Sequence, residues 1–568
     1  MRTRRPPLLP FLFVSLAFIL LSGPTAQAQS VGDALFFSER PPATGPRLLG
    51  MAGTSIAGVG DVGALYSNPA GLGMTSASQL TGSFRGLYVT NDATYETFGG
   101  ALDDPRSFGL GAAEASRTDY GLGNLGVLYK APTAQGAFVV GLAVNETRLF
   151  GRDLEFQNRN QFSSVTDFFL PVSGEVDVAS FAPGETPELL TDQFLVEGDE
   201  ADFVVDFDPD GDGVVNRPLS LAAFQTFAID FVPGLFEGDN PAQSFLPAVA
   251  GGTQFRQAGD FTEDGALREF NFGGSIEAAR GVFVGASGNV SFGRYELRQV
   301  FEEIDDRNEN DGTGGTVNFD RLRFTRNLES DFTGFSVRVG LSAELTSALR
   351  AGLTIETPTW YSVNEETSFR LLTAFDDGFS DVYGDDAGER AERRPFEYDI
   401  RTPWRFGAGL SAEIGGLRLS GDATLVDWTQ LQLEAADGAD TFTEENAIIE
   451  DDFDPVVQTR VGAELTLSPL ILRGGFAYHP APASFSALNA DFLSTSLDVF
   501  GEDVVDERSR TYLSAGLGYQ VDDYLRIDLA WMQERFEDRT LPYASQNASF
   551  VNEDVERNQF LVGLTFFF

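Results

Sequence analysis

The chain closes on Asn558-Gln-Phe-Leu-Val-Gly-Leu-Thr-Phe-Phe-Phe568, where apolar alternation runs to the final residue. In an extended strand Phe560, Val562, Leu564, Phe566 and Phe568 share one face, and Leu561, Gly563, Thr565 and Phe567 share the other. Two folds accommodate such a strand: a soluble β-sandwich that buries it, or a β-barrel that spans a membrane. The rest of the chain separates them.

Arg2, Arg4 and Arg5, the apolar run Phe11–Leu21 and Ala26-Gln27-Ala28 have the layout of a secretory leader, residues 1–28, with cleavage before Gln29. Elsewhere no stretch approaches the roughly 20 uninterrupted apolar residues of a membrane helix, so a membrane protein with this sequence is a barrel. The 61 Gly and 51 Phe among 568 residues, with a mean hydropathy of −0.11, fit apolar material dispersed over short alternating strands. Cysteine is absent, which excludes disulfides, thiolate metal sites and a cysteine nucleophile. The balance of 85 Asp+Glu against 39 Lys+Arg, net charge −46, repels phosphate and argues against nucleic acid as a partner. Lys130 is the only lysine, and an acidic, lysine-poor composition is similar to that of proteins from salt-loving organisms.

Period-two patterning organises the second half. Leu349, Ala351, Leu353 and Ile355 alternate with Arg350, Gly352, Thr354 and Glu356; Leu525, Ile527, Leu529 and Trp531 oppose Arg526, Asp528 and Met532. Short turns fall near 131–134, 280–281, 346–348, 415–416, 468–469 and 521–523. Long acidic connections lie near 151–265, 304–317, 373–394, 436–455, 481–508 and 538–554. Alternating short and long connections put every long one on the same side, as in an up-and-down barrel and unlike a Greek-key sandwich. The predicted fold class is therefore all-β, a transmembrane antiparallel up-and-down β-barrel over 77–568, with 151–265 a long extracellular insertion. Strand counting gives about fourteen; a further hairpin within 94–117 would make sixteen, and periodicity leaves both open. An even total puts both ends of the barrel on the periplasmic side. Gly563, Phe566 and Phe568 resemble the terminal signal by which the barrel-assembly machinery of the bacterial outer membrane receives its substrates.

Ahead of the first strand, residues 29–76 are rich in small residues and irregular, which suggests a compact plug in the lumen. The run Gly63-Ala-Leu-Tyr-Ser-Asn68-Pro69-Ala70-Gly71-Leu72 resembles the hatch of the FadL family of outer-membrane transporters for long-chain fatty acids and hydrocarbons, which carries an Asn-Pro-Ala motif just before its first strand. Thr402-Pro-Trp-Arg through Leu425-Val-Asp-Trp428 looks like the family's eighth and ninth strands, and Arg460-Val-Gly-Ala through Arg473-Gly-Gly-Phe-Ala-Tyr478 like the next two. The resemblance covers most of 45–150 and 266–568, favours fourteen strands, and makes 91–118 an extended first outer loop. It implies passive, ATP-independent uptake of hydrophobic molecules by a hatch-gated monomer, with release sideways through a gap in the wall.

The insertion departs from the family, whose external groove is built by helical loops further along. Leu221, Phe224, Phe227, Ala228 and Phe231 recur at helical spacing there, as a replacement groove or as a helix packing its own loop. Leu35, Phe36 and Phe37 are positioned either to contact substrate or to wedge the plug. Asp208, Asp210, Asp212, Val214 and Asn216 match positions of a calcium loop that has Leu219 where a bidentate glutamate belongs; an acidic solvated loop is the alternative. No cofactor is required by this reading. Inward-facing Arg338, Glu344, Arg418, Asp422, Glu464, Arg473, Arg526 and Asp528 are expected to pair with one another, and the single histidine, His479, joins no hydrolytic triad. The expected function is a non-enzymatic outer-membrane channel for hydrophobic molecules, with lipid and lipopolysaccharide around it; the alternative is a FadL-like scaffold or shuttle in protein secretion or surface attachment.

Overall fold

The computed structural model describes residues 31–97, 111–185, 189, 193–197, 201–209, 215, 217–232, 240–249, 254–309, 318–384, 394–436, 442–483, 508–543 and 549–568. Fourteen antiparallel staves close into a barrel. They are β1 (Gln79–Glu96), β2 (Gly111–Ala131), β3 (Phe138–Leu149 and Arg152–Asn160), β4 (Phe255–Ala279), β5 (Val282–Ile304), β6 (Phe319–Glu344), β7 (Leu349–Glu356 and Trp360–Phe375), β8 (Arg394–Arg401 and Arg405–Ile414), β9 (Leu417–Asp427 and Gln432–Ala435), β10 (Pro455–Leu467), β11 (Leu470–His479), β12 (Arg510–Gln520), β13 (Leu525–Thr540) and β14 (Phe550–Phe567). The terminal strand is the closing stave: β14 pairs with β1 from Gln79↔Phe567 to Glu96↔Phe550, and Phe568 N donates to Ser78 O at 3.1 Å. Closure removes the free edges that an open sheet of this size would expose.

Every stave turns at least one large apolar side chain outward. Phe84 on β1, Leu142 on β3, Leu353 on β7 and Val562 on β14 are each 48% or more exposed. A continuous apolar belt around a closed barrel is the surface that lipid covers, and a closed ladder satisfies the backbone in a medium without water. On the inner face of β14, Leu561 and Thr565 are buried. Staves β4, β5 and β6 run 25, 23 and 26 residues, against the roughly 9–11 needed to cross a bilayer. They project beyond the belt on the side of the long connections. There the outward face turns from apolar to charged, and Arg294 on β5 pairs with Glu329 at 2.6 Å and Asp331 at 2.9 Å on β6.

These projections account for two departures from the sequence reading. Residues 91–96 and 111–118, expected as part of an extended outer loop, lengthen the β1–β2 ladder (Asn91↔Ala115, Tyr95↔Gly111) without adding staves, and the count is the fourteen that the resemblance favours. Arg152–Asn160 likewise pairs with β4, from Arg152↔Glu263 to Asn160↔Phe255, so the ends of the 151–265 stretch belong to the wall and residues 161–254 lie between β3 and β4. Outside the bilayer the outward positions are polar, and the apolar alternation that marks a membrane strand fades. Within 161–254, Leu170–Leu221 and Phe231–Leu246 form a compact unit of their own, containing a three-stranded sheet with Asp202–Asp206 between Asp177–Phe181 and Gln193–Val196.

Two connections are tied to β4 and β5 beyond Phe292, the outermost exposed large apolar residue of β5. Ser164 Oγ, Val165 N and Gln257 Nε2 donate to the Glu303 carboxylate at 2.5, 2.8 and 2.7 Å. Gln257 Nε2 also donates to Tyr543 Oη at 2.7 Å, which in turn meets Ser163 Oγ at 2.9 Å. Glu303 is fully buried, and desolvation pushes its carboxyl up to about 7, although these hydrogen bonds oppose the shift.

Candidate functional site

Residues 31–76 lie against the inner wall. After helix α1 (Val31–Ser38) the chain makes the short helix α2 (Pro46–Leu49) and two 3₁₀ turns, Val62–Leu65 and Pro69–Met74. The Asn-Pro-Ala motif has a plain local logic. Asn68 caps the second turn, its Oδ1 accepting from Ala70 N at 3.1 Å, and Pro69 takes the first helical position, where its missing N–H costs nothing. The fully buried Asn68 amide also donates to Ile56 O at 2.6 Å, Leu341 O at 3.2 Å and Ser342 Oγ at 3.1 Å, joining the hatch to β6. Contact this close needs walls without side chains. A Cβ on Gly340 would overlap Asn68 Oδ1, and one on Gly285 would strike the Pro69–Ala70 peptide. Gly71 packs against the Val59 backbone, and Gly563 on β14 leaves room for Pro46. Gly563 thus has a packing role beside the assembly-signal role read from the sequence, while Phe566 and Phe568 face outward.

The inward charges are paired with one another along the wall and, in part, through the hatch. Arg338 donates to Leu65 O at 2.9 Å and to Glu356 at 2.8 Å, and Arg40 reaches Glu356 and Glu269. Arg47 holds Glu464 at 2.9 Å and Asp61 at 3.1 Å; Arg473 joins Glu464 at 2.9 Å to Asp528 at 2.7 Å, and Arg526 closes on Asp528 at 2.7 Å. Arg418 lies 3.6 Å from Glu464, Glu344 pairs with Arg350 at 3.4 Å, and Asp422 accepts from Ser55 N and Ile56 N at 2.6 and 3.0 Å. A pair whose partners both sit in a polar lumen fixes geometry more than it adds stability. This lattice therefore fixes α2 and the 3₁₀ turns in register with the wall.

α1 is held differently. Val31, Ala34, Leu35 and Phe37 sit in an apolar chamber built from Phe150, Tyr295, Phe332, Val363, Tyr398, Trp428 and neighbouring side chains. Phe37 meets Phe332 at 4.5 Å and Tyr295 at 5.3 Å between ring centroids, and Phe36 meets Phe150 and Tyr295 at 5.6 Å each. The outer end is covered by the helix Thr443–Asp452, whose Ile449 belongs to the same cluster and whose Asn446 clamps both the N–H and the C=O of Leu433 at 2.9 Å. The chamber walls were not visible in the sequence. Their aromatic residues come from distant staves at ordinary inward positions, and only closure of the barrel collects them.

At the end of α1 the surroundings change from apolar to basic. Arg148 donates to Phe36 O, Arg405 donates to Ser38 O at 3.0 Å, and Arg510 lies 2.8 Å from the Glu39 carboxylate. A cavity here is also lined by Arg85, Arg557, His479, Tyr512 and Glu534. These arginines stand in a chain dominated by acids and carry no local mark in the sequence, because β1, β3, β8, β12 and β14 contribute one each.

The same cavity borders a seam in the wall. Among the described residues the ladder between β2 and β3 runs only from Asn124↔Asn145 to Ala131↔Phe138. Beyond it β2 stays with β1, while β3 shifts register against β4 at Leu267/Arg268. Glu146 occupies the seam, 3.2 Å from Arg268 and 3.7 Å from Arg85, and a Cβ on Gly121 would lie 2.7 Å from its Oε1. Further out, β2 packs against the second part of β3 without a ladder, Gly111 lying against Gln157 O, and Arg117 reaches Asp153 at 3.5 Å and Asp264 at 2.7 Å.

The remaining sequence-derived candidates fall within 161–254. The helix around Phe224 spans Pro218–Gln225 and ends in a Schellman turn: Ala228 N donates to Ala223 O at 2.8 Å, Phe227 N to Phe224 O at 3.2 Å, and Phe227 takes φ 61°. An aromatic residue in the left-handed region is uncommon, so helical spacing overran the true end. Phe227 meets Phe379, whereas Phe231 lies in the strand Ile229–Phe231 and meets Phe203 and Phe245; of the three phenylalanines only Phe224 is helical. Of the calcium-loop residues, Asp210, Asp212, Val214 and Asn216 lie outside the described residues. Asp208 N donates to Asp206 Oδ1 at 3.0 Å. Among the described residues no group of three or more acidic or histidine side chains is placed to hold a metal. The leader, 1–28, also lies outside them.

Fold and site together define a membrane-spanning fourteen-stranded barrel with a hatch in its lumen. Among solved structures, a Pseudomonas aeruginosa FadL homologue is 13% identical, with 93% of this chain and 99% of that chain covered and a TM-score of 0.48. The P. putida toluene transporter TodX is 14% identical with the same coverages and a TM-score of 0.44, and the Ralstonia pickettii toluene transporter TbuX is 13% identical, again over 93% and 99%, with a TM-score of 0.43. At these identities and scores the likenesses carry no residue role and no substrate across. No protein-family model matches the chain, and no curated protein does.

Proposed function

We propose that this protein is a passive channel of the bacterial outer membrane for hydrophobic compounds, long-chain fatty acids or hydrocarbons, gated by its hatch. The observation that carries the reading is α1: a short, apolar helix fills an apolar chamber inside a barrel whose remaining hatch is fastened by buried polar contacts. A chamber of this kind has no use in passing ions or sugars, whose hydration shells it would strip. Its walls suit an alkyl chain or an aromatic ring, which would take the place of Leu35, Phe36 and Phe37. The short turns face the periplasm and the long connections face outward. The unladdered seam between β2 and β3 supplies the exit, so that a compound leaves sideways into lipid without crossing water. Uptake of labelled oleate or hexadecane by cells with and without the gene tests this. Uptake that depends on the gene supports the channel, and equal uptake in both strains rejects it.

A further inference from the structure

α1 and the residue after it carry the two parts of an amphiphile in order. Leu35, Phe36 and Phe37 lie in the apolar chamber, and one turn further on the Glu39 carboxylate enters the basic cavity. There Arg510 Nη2 lies 2.8 Å and Arg148 Nη2 3.7 Å from the same Glu39 oxygen. Both guanidiniums also lie over aromatic rings of the wall, Arg148 5.4 Å from the Phe150 centroid and Arg510 3.9 Å from that of Phe536, which remain to orient them toward the cavity when α1 leaves. Among the described residues Glu39 is the only carboxylate within ion-pair distance of Arg148, and Arg510 has one other, Glu534 at 2.9 Å. Arg557 lines the same cavity, its Nε buried without a hydrogen-bond partner. Withdrawing Glu39 would therefore leave buried cations short of an anion, a costly state unless another anion arrives.

We infer that Glu39 is a built-in competitor for the head group of the transported compound: its carboxylate occupies, on Arg148 and Arg510, the place taken by the carboxylate or sulfate of a single-chain amphiphile. The inference rests on the channel reading and narrows it, because a neutral hydrocarbon can displace the apolar residues of α1 but cannot replace Glu39. Displacing α1 is then coupled to head-group charge, and specificity resides in the residue that leaves.

The test measures binding of laurate, dodecyl sulfate and dodecanol to the full-length protein in nanodiscs, comparing wild type with Glu39→Gln and Glu39→Asp. Removing one charged competitor hydrogen bond should tighten laurate and dodecyl sulfate by about tenfold in Glu39→Gln and leave dodecanol within about twofold. Glu39→Asp, which keeps the charge, should restore weaker binding of the two anions. A gain for laurate alone would assign the subsite to carboxylates, and a gain for both anions to anionic heads generally. Equal tightening of all three compounds would overturn the inference, since Glu39 would then act only through the seating of α1. Unchanged binding of all three would overturn it as well. Failure of every probe to bind any variant would overturn the channel reading together with it.

Discussion

Truncating Phe37 to alanine should free α1 while leaving the rest of the hatch in place. Phe37 is 4% exposed and its ring touches Phe332, Tyr295 and Phe150. Removing such a ring from a packed site costs about 3–5 kcal/mol, which corresponds to a loss of protection against local opening of about two to four orders of magnitude. Arg148, Arg405 and Arg510 hold only the end of α1, and the polar fastenings of the rest of the hatch run from Arg40 through Arg47, Asp61 and Asn68, so the cost falls on α1. Hydrogen exchange followed by mass spectrometry can read this directly. Peptides covering 31–38 should exchange faster in the variant, and peptides covering 46–74 should keep their wild-type rates. A ligand that needs α1 out of the chamber should also bind more tightly, because the competent state is no longer rare. Unchanged exchange in 31–38 would show that the aromatic contacts do not hold α1. Equal acceleration in both segments would show that the hatch moves as one piece, and either result would refute the reasoning.

Three further outcomes follow from other contacts. Gly340→Ala places a methyl group on Asn68 Oδ1, an overpacking worth about 1–3 kcal/mol; the barrel should still assemble, with trypsin cleavage at Arg47 increased, and an equally resistant hatch would contradict the fit. Deleting Phe566–Phe568 removes the Leu80↔Phe566 and Gln79↔Phe567 pairs that begin closure, so the heat-modifiable barrel should fall sharply in amount; normal levels would refute the closing role of the terminus. Glu303 titrates near 7 when folded and near 4.5 when unfolded, so the folded form binds its proton more tightly. Its anchoring contribution is full below about pH 4.5 and declines as pH rises through about 7, by on the order of 3 kcal/mol. Protection of residues 161–169, corrected for intrinsic exchange, should therefore fall between pH 5 and 8.5 in wild type and stay level in Glu303→Gln; a flat wild-type profile would refute it.

The wall was readable from sequence where lipid imposes its pattern. Val562 to Phe568 and Leu349 to Ile355 alternate because one face meets apolar chains, and the turns at 280–281, 346–348 and 415–416 are short because adjacent staves need nothing longer. The pattern failed where that constraint ends. Arg152–Asn160 projects past the bilayer and alternates between buried Leu154 and Phe156 and exposed Glu155 and Gln157, a rhythm that a polar loop can imitate. Asn68-Pro69 stood out because a cap followed by proline is a local device. Phe332, Tyr398 and Trp428, or Arg148, Arg405 and Arg510, carry no local mark; they meet only through ladders that join residues hundreds of positions apart. The pairing of Arg473 with Glu464 and Asp528 was foreseeable in kind, since unpaired charge in a closed lumen is costly, but the hatch partner Arg47 was not.

The central claim is that α1 occupies a ligand's place. A structure of the protein saturated with laurate or dodecane tests it most directly. The account predicts density for the alkyl chain between Tyr295, Phe332 and Trp428, with α1 withdrawn and the turns around Asn68 unmoved. Density for the compound confined to the outer belt, with Phe37 still seated against Phe332, would contradict it.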